Sequence, residues 1–204
     1  MVWHSCTHRC FFFTEYPYPF ALRKKNTGGI SYAPERESGM KNESMEWVEK
    51  QIGYVFKSEV LLRQSLTRKA YSNEHPEYPH NEVMEYYGDT TVKRVIKSAL
   101  RLKYTDRNKE GQFISILNEQ AFTEKTAYYE SNATLAAHVD RMGLTRAVFL
   151  GRGEQLQNCM AEEKPKADLF EAIAFAVELD CDEDFETVKR VVLHMMGITD
   201  PDEI

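Results

Sequence analysis

The run His80 to Val92 reads H-N-E-V-M-E-Y-Y-G-D-T-T-V and carries three carboxylates, Glu82, Glu85 and Asp89. In a helix that starts after an Asn81 cap these acids fall at i, i+3 and i+7 and share one stripe. Their neighbours Val83, Met84, Tyr86, Tyr87 and Val92 are apolar, so the stripe belongs at the edge of a core rather than on a fully wet face. Removing an ionised carboxylate from water is costly unless a cation compensates it. Two compensations are open here: ion pairs with Lys93, Arg94 or Lys97 near i+4 spacing, or a shared metal ion. A second run, Lys164 to Asp180, places Asp168 and Glu171 at i, i+3 in an otherwise almost wholly apolar segment. If the two helices pack side by side, Glu85, Asp89, Asp168 and Glu171 converge on an all-oxygen site for Mg²⁺ or Mn²⁺. Such sites most often serve phosphoryl-transfer chemistry.

The elements that must position these acids are helices. Periodicity and breakers predict helices near residues 45–52, 59–66, 82–104, 112–128, 132–142, 165–179 and 184–196, with breaks at Gly53, Pro76, Pro79, Gly111, Gly143, Gly151, Gly153 and Gly197. No strand alternation stands out, and Val148-Phe149-Leu150 is too short to assign, so the expected fold class is all-α. Gly88 inside the first acidic helix costs about 1 kcal/mol relative to Ala, which a close approach by another helix near the acids would offset.

With 204 residues and 42% apolar content, the chain can bury one full core. Residues 44–204 are expected to form it. Residues 1–43 mix Gly, Pro, Ser and aromatics without a period and read as a disordered extension. His4, Cys6, His8 and Cys10 alternate within it, but structural zinc sites usually use C-x₂₋₄-C pairs, so they are read as tail rather than as a zinc site. No stretch approaches the ~20 uninterrupted apolar residues of a membrane helix. Four scattered cysteines suit a reducing interior, so the expected location is the cytoplasm, with an organellar address in residues 1–43 left open. The net charge of −6 disfavours a nucleic-acid partner at first sight, yet bases concentrate at Arg63, Arg68 and Lys69, along Lys93 to Lys109, and at Arg146, Arg152, Lys164 and Lys166. Acids in a cleft flanked by basic stripes suit a metal-dependent nuclease; ordinary solvated helix faces are the plainer explanation of the same stripes.

From Ile52 to about Met196 the chain resembles the catalytic domain of the ribonuclease III family. Its His80-Asn81-Glu82-Val83-Met84-Glu85-Tyr86-Tyr87-Gly88-Asp89-Thr90 is similar to the signature H-N-E-x-L-E-F-L-G-D-A, and Ala167, Asp168, Glu171, Ala172, Ala176 and Asp180 match A-D-x-x-E-A-x-x-x-A-x-x-x-D. Ile52 to Lys57, Glu110-Gly111, Ser131 to Ala136 and Leu150 to Glu154 resemble further family blocks, in register. The resemblance implies an all-α endonuclease domain and a double-stranded-RNA-specific endoribonuclease that uses Mg²⁺ or Mn²⁺, leaves 5′-phosphate and 3′-hydroxyl ends, and processes structured RNA such as ribosomal precursors. It implies Glu85, Asp89, Asp168 and Glu171 as metal ligands, with Asp89 and Glu171 catalytic. Glu110 becomes a further metal or water contact, Glu82 a substrate contact near a dimer cleft, and Tyr86 an aromatic at a homodimer interface.

Departures accompany the match. Where the family often has T-H-x-S-Y, the chain reads Thr67-Arg68-Lys69-Ala70-Tyr71, which adds charge; Arg68, Lys69 and Lys164 are the expected RNA contacts. Phe175 replaces a small residue, and Glu178 stands where Tyr is common. The sequence ends without the double-stranded-RNA-binding domain of the common bacterial form, so an adaptor RNA-binding protein is a conceivable partner. The alternative reading is a non-catalytic RNA-binding or ribosome-associated member of the fold, which would be expected to have lost metal acids.

Overall fold

The computed structural model describes residues 38–199 and 204. The zinc-like residues His4, Cys6, His8 and Cys10, and most of the extension, lie outside the described residues. The first helix, α1, spans Ser38–Ile52 and so begins before residue 44. It is followed by α2 (Glu59–Ser65), α3 (Lys69–Glu74), α4 (Glu82–Tyr104), a β-ribbon of β1 (Thr105–Arg107) and β2 (Phe113–Ser115), α5 (Glu119–Tyr129) and α6 (Asn132–Met142). A 3₁₀ turn, Leu144–Ala147, leads to α7 (Arg152–Leu156), and a second, Cys159–Ala161, to α8 (Glu163–Asp180) and α9 (Phe185–Met195). The fold is all-α apart from the ribbon.

The middle of the bundle is α8. Ala167, Leu169, Phe170, Ala172, Ile173, Ala174, Ala176 and Val177 are all buried, so no side of its middle turns faces open water. A helix apolar nearly all round must be enclosed, and α4, α6, α2 and α9 enclose this one. The crossing of α4 and α8 depends on Gly88. A Cβ built there would stand 2.0 Å from the Glu171 carbonyl oxygen and 2.4 Å from its carbon, so only glycine lets the two backbones meet. This is the close approach the sequence calls for.

Asp180, the last acid of the second block, closes the far end of α8. Its Oδ2 accepts from the Tyr54 hydroxyl and the Lys57 amide and its Oδ1 from the Ser58 amide, each at 2.8 Å. Burial and the Asp180 carboxylate push the Tyr54 hydroxyl pKa upward. Phe175 and Glu178 also tie α8 to α4: Phe175 stacks on Tyr87 at 5.2 Å, and Glu178 accepts from Thr91 and pairs with Arg94 at 3.9 Å.

Two local expectations are corrected, and one unassigned segment is placed. Asn81 stands at the N-cap position of α4 without capping it; its buried amide donates to the Ser65 carbonyl at 3.0 Å, and its backbone N–H to that of Thr67, so it braces α4 against the end of α2. The predicted helix over 112–128 is instead β2 followed by α5. Gly111, at φ +81°, turns the ribbon, Asn108 and Gln112 clasp it at 2.8 Å, and Asn118 accepts from Ala121 N to start α5 at Glu119. Phe149 forms a parallel bridge to Thr67, with Arg68 N donating to its carbonyl at 3.1 Å, which fixes the chain where Arg68 enters the site. Among the described residues no helix is long and apolar enough to cross a membrane, and Cys159 and Cys181 are free thiols.

Candidate metal centre

The two acidic helices cross as the spacing requires. Glu85 on α4 and Asp168 and Glu171 on α8 bring one carboxylate oxygen each to within 4.8 Å of one another. They line a cleft of about 400 Å³ with Tyr86, Asp89, Thr90, Asn132 and Lys164. The fourth expected ligand, Asp89, lines the cleft without joining the tight group; it is half-exposed and pairs with Lys93 at 3.5 Å. The i, i+4 ion-pair alternative is thus realised for Asp89, while Glu85, Asp168 and Glu171 crowd together.

Crowding sets the electrostatics. Burial, then the charges of Asp89, Asp168 and Glu85, raise the Glu171 pKa to about 8. Burial and Asp168 raise that of Glu85. Acids held this way need a cation, and the chain supplies two. Lys164 Nζ bridges Asp168 Oδ1 at 2.7 Å and Glu85 Oε1 at 3.3 Å. Arg68 Nη1 reaches Asp168 Oδ2 at 3.4 Å while its Nε donates to Glu154 Oε1 at 3.2 Å. Hard oxygen donors at this spacing, carrying surplus negative charge, fit a divalent cation of the Mg²⁺ or Mn²⁺ kind.

The remaining expected residues lie elsewhere. Glu82 pairs with Lys69 at 2.9 Å on the surface, both side chains about half-exposed, and this contact lowers the Glu82 pKa. Glu110 sits exposed in the turn between β1 and β2, its amide on Asn108 Oδ1, and does not line the cleft. Arg68 is directed inward, only 19% exposed, with both contacts on carboxylates. Tyr86 is 74% exposed at the cleft edge. The sequence reading missed Glu154 and Asn132. Glu154 lies in a glycine-flanked segment matched only as a family block, and its one signal was an arginine in place of histidine at position 68, an extra cation that needs an extra acid.

An all-α bundle whose two central helices cross at a cluster of three carboxylates defines the class of this protein by fold and site. The Ribonuclease-III-like family model matches residues 58–197. The chain belongs to that family. Ribonuclease 3 of Treponema succinifaciens is 32% identical over 159 residues, covering 78% of this chain and 43% of that protein. Ribonuclease 3 of Roseburia hominis is 32% identical over 163 residues, covering 74% and 45%. The chain spans about half the length of the curated relatives it matches. The nuclease domain of ribonuclease III from Campylobacter jejuni is a structural neighbour at a TM-score of 0.64 and 22% identity, covering 75% of this chain and 96% of that one, which supports the fold.

Proposed function

We propose that the chain is a metal-dependent endoribonuclease that hydrolyses double-stranded RNA and leaves 5′-phosphate and 3′-hydroxyl ends. The observation that carries this reading is the convergence of Glu85, Asp168 and Glu171 in a chain of the ribonuclease-III-like family. Mg²⁺ or Mn²⁺ would be held by these three, with Asp89 reaching the same cleft. When bound, such an ion polarises a phosphate oxygen and acidifies a water for in-line attack.

The chain's own groups do the rest. Arg68 fixes one oxygen of Asp168, so that carboxylate presents a set face to the cleft. Glu171 Oε holds a proton near neutral pH when no cation is present and yields it to solvent when the cluster is neutralised. The exposed Lys164 ammonium at the rim offers positive charge to a phosphodiester. Val83, Tyr86 and Tyr87 form an exposed apolar stripe beside the cleft, at i, i+3 and i+4 on α4, and suit pairing with a second copy. The Campylobacter jejuni neighbour is described as having a region involved in dimer formation. A homodimer would set two clefts against the two strands of one A-form helix, recognised by shape.

The test is incubation of the purified protein with a long RNA duplex, its single strands and the corresponding DNA duplex, with and without Mg²⁺. Fragments are expected from the RNA duplex alone, and only with metal. Cleavage in EDTA, or equal cleavage of all three substrates, would contradict the proposal.

A further inference from the structure

The oxygens of Asp168 are both engaged by the chain's own cations, and the two cations are built differently. Arg68, on Oδ2, is 19% exposed and anchored by a second carboxylate, Glu154, whose other oxygen accepts from Gly151 N at 3.3 Å. Its own backbone is pinned to Phe149. Withdrawing that guanidinium would take one partner from buried Asp168 and the cation from Glu154 at once, which is strongly unfavourable. Lys164, on Oδ1, is 66% exposed and sits in the first turn of α8 on a flexible four-carbon stem. Its ammonium can swing into water at little cost.

A divalent ion that draws oxygens from Glu85, Asp168 and Glu171 must occupy the ground where Lys164 bridges the first two. The two cations cannot share it. We propose that Lys164 is a placeholder cation, which holds Glu85 and Asp168 together in the metal-free protein and is displaced when a divalent ion binds, while Arg68 stays in place to orient Asp168. This rests on the metal-site reading above and adds a competition to it: apparent metal affinity is set partly by the free energy of moving one lysine.

The experiment measures Mn²⁺ binding to the full chain by titration calorimetry, checked by the free-Mn²⁺ paramagnetic resonance signal. Lys164→Met keeps the stem and removes the competitor, so binding should tighten by about fivefold or more, the effect of one unit charge a few ångströms away in a wet cleft. Lys164→Arg keeps the charge and should bind no more tightly than wild type. A second readout uses wild type alone: acylation of the Lys164 amine, followed by peptide mass, should speed up on adding Mn²⁺ as the ammonium leaves its carboxylates. Unchanged or weaker binding in Lys164→Met, tightening in Lys164→Arg equal to that in Lys164→Met, or a labelling rate indifferent to Mn²⁺ would each overturn the placeholder role while leaving the metal site standing. Absence of Mn²⁺ binding by wild type and variants alike would overturn both.

Discussion

At the scale of single residues, the cleft holds two acids, Glu85 and Glu171, whose pKa the fold raises. The folded pKa of Glu171, about 8, lies above its ordinary value of 4.5. Between those values the folded state binds the extra proton, so the stability of the metal-free protein should fall as pH rises from about 4.5 to about 8. Below that window this group contributes no slope. Melting temperatures across the range should show the decline in EDTA, and Glu171→Gln, which cannot ionise, should flatten it; an equal slope in the variant would place the strain elsewhere. Asp180 is the contrasting acid, buried yet satisfied by three donors at the other end of the same helix. Asp180→Asn loses the charge and turns an acceptor into a donor, and should cost about 3 kcal/mol in urea unfolding while leaving Mn²⁺ affinity unchanged.

At the scale of elements, the site exists because α4 and α8 touch backbone to backbone. Gly88→Ala places a methyl inside the Glu171 carbonyl, so α8 must shift, and the loss should be about 3 kcal/mol with metal binding weakened too. Wild-type stability in that variant would mean the helices cross with more room than the geometry gives. This contact was legible in the sequence, since a glycine inside an acid-bearing helix has few other reasons to be there. The bounds of α4 and α6 were legible too, because periodic apolar residues and, for α6, the Ser131 cap and left-handed Gly143 at φ +67° are local signals. Other parts were not. The Arg68 to Asp168 contact joins residues 100 positions apart, and nothing local to Arg68 says whether it faces RNA or an acid. The β-ribbon escaped because β2 is exposed along its whole length and alternates nothing. Asn81 misled because cap chemistry and bracing chemistry use the same amide.

At the scale of the whole molecule, the exposed apolar stripe of Val83, Tyr86 and Tyr87 and the acidic cleft are neighbours on one helix, so pairing of two copies through the stripe would couple assembly to chemistry. Tyr86→Arg should shift the sedimentation equilibrium from dimer toward monomer, because a buried unpaired charge at a two-fold interface is paid for twice. A monomeric wild type, or a variant that dimerises equally well, would remove the stripe from the interface. We propose that the carboxylates meeting at the α4–α8 crossing perform metal-assisted cleavage of duplex RNA. Single-turnover cleavage of an RNA duplex by Glu171→Gln in Mg²⁺, with duplex binding measured in parallel, tests it most directly. Binding should be retained and the rate lower by at least about a thousandfold, the loss of several kcal/mol of transition-state stabilisation; a variant that cleaves within about tenfold of wild type would rule out this role for Glu171.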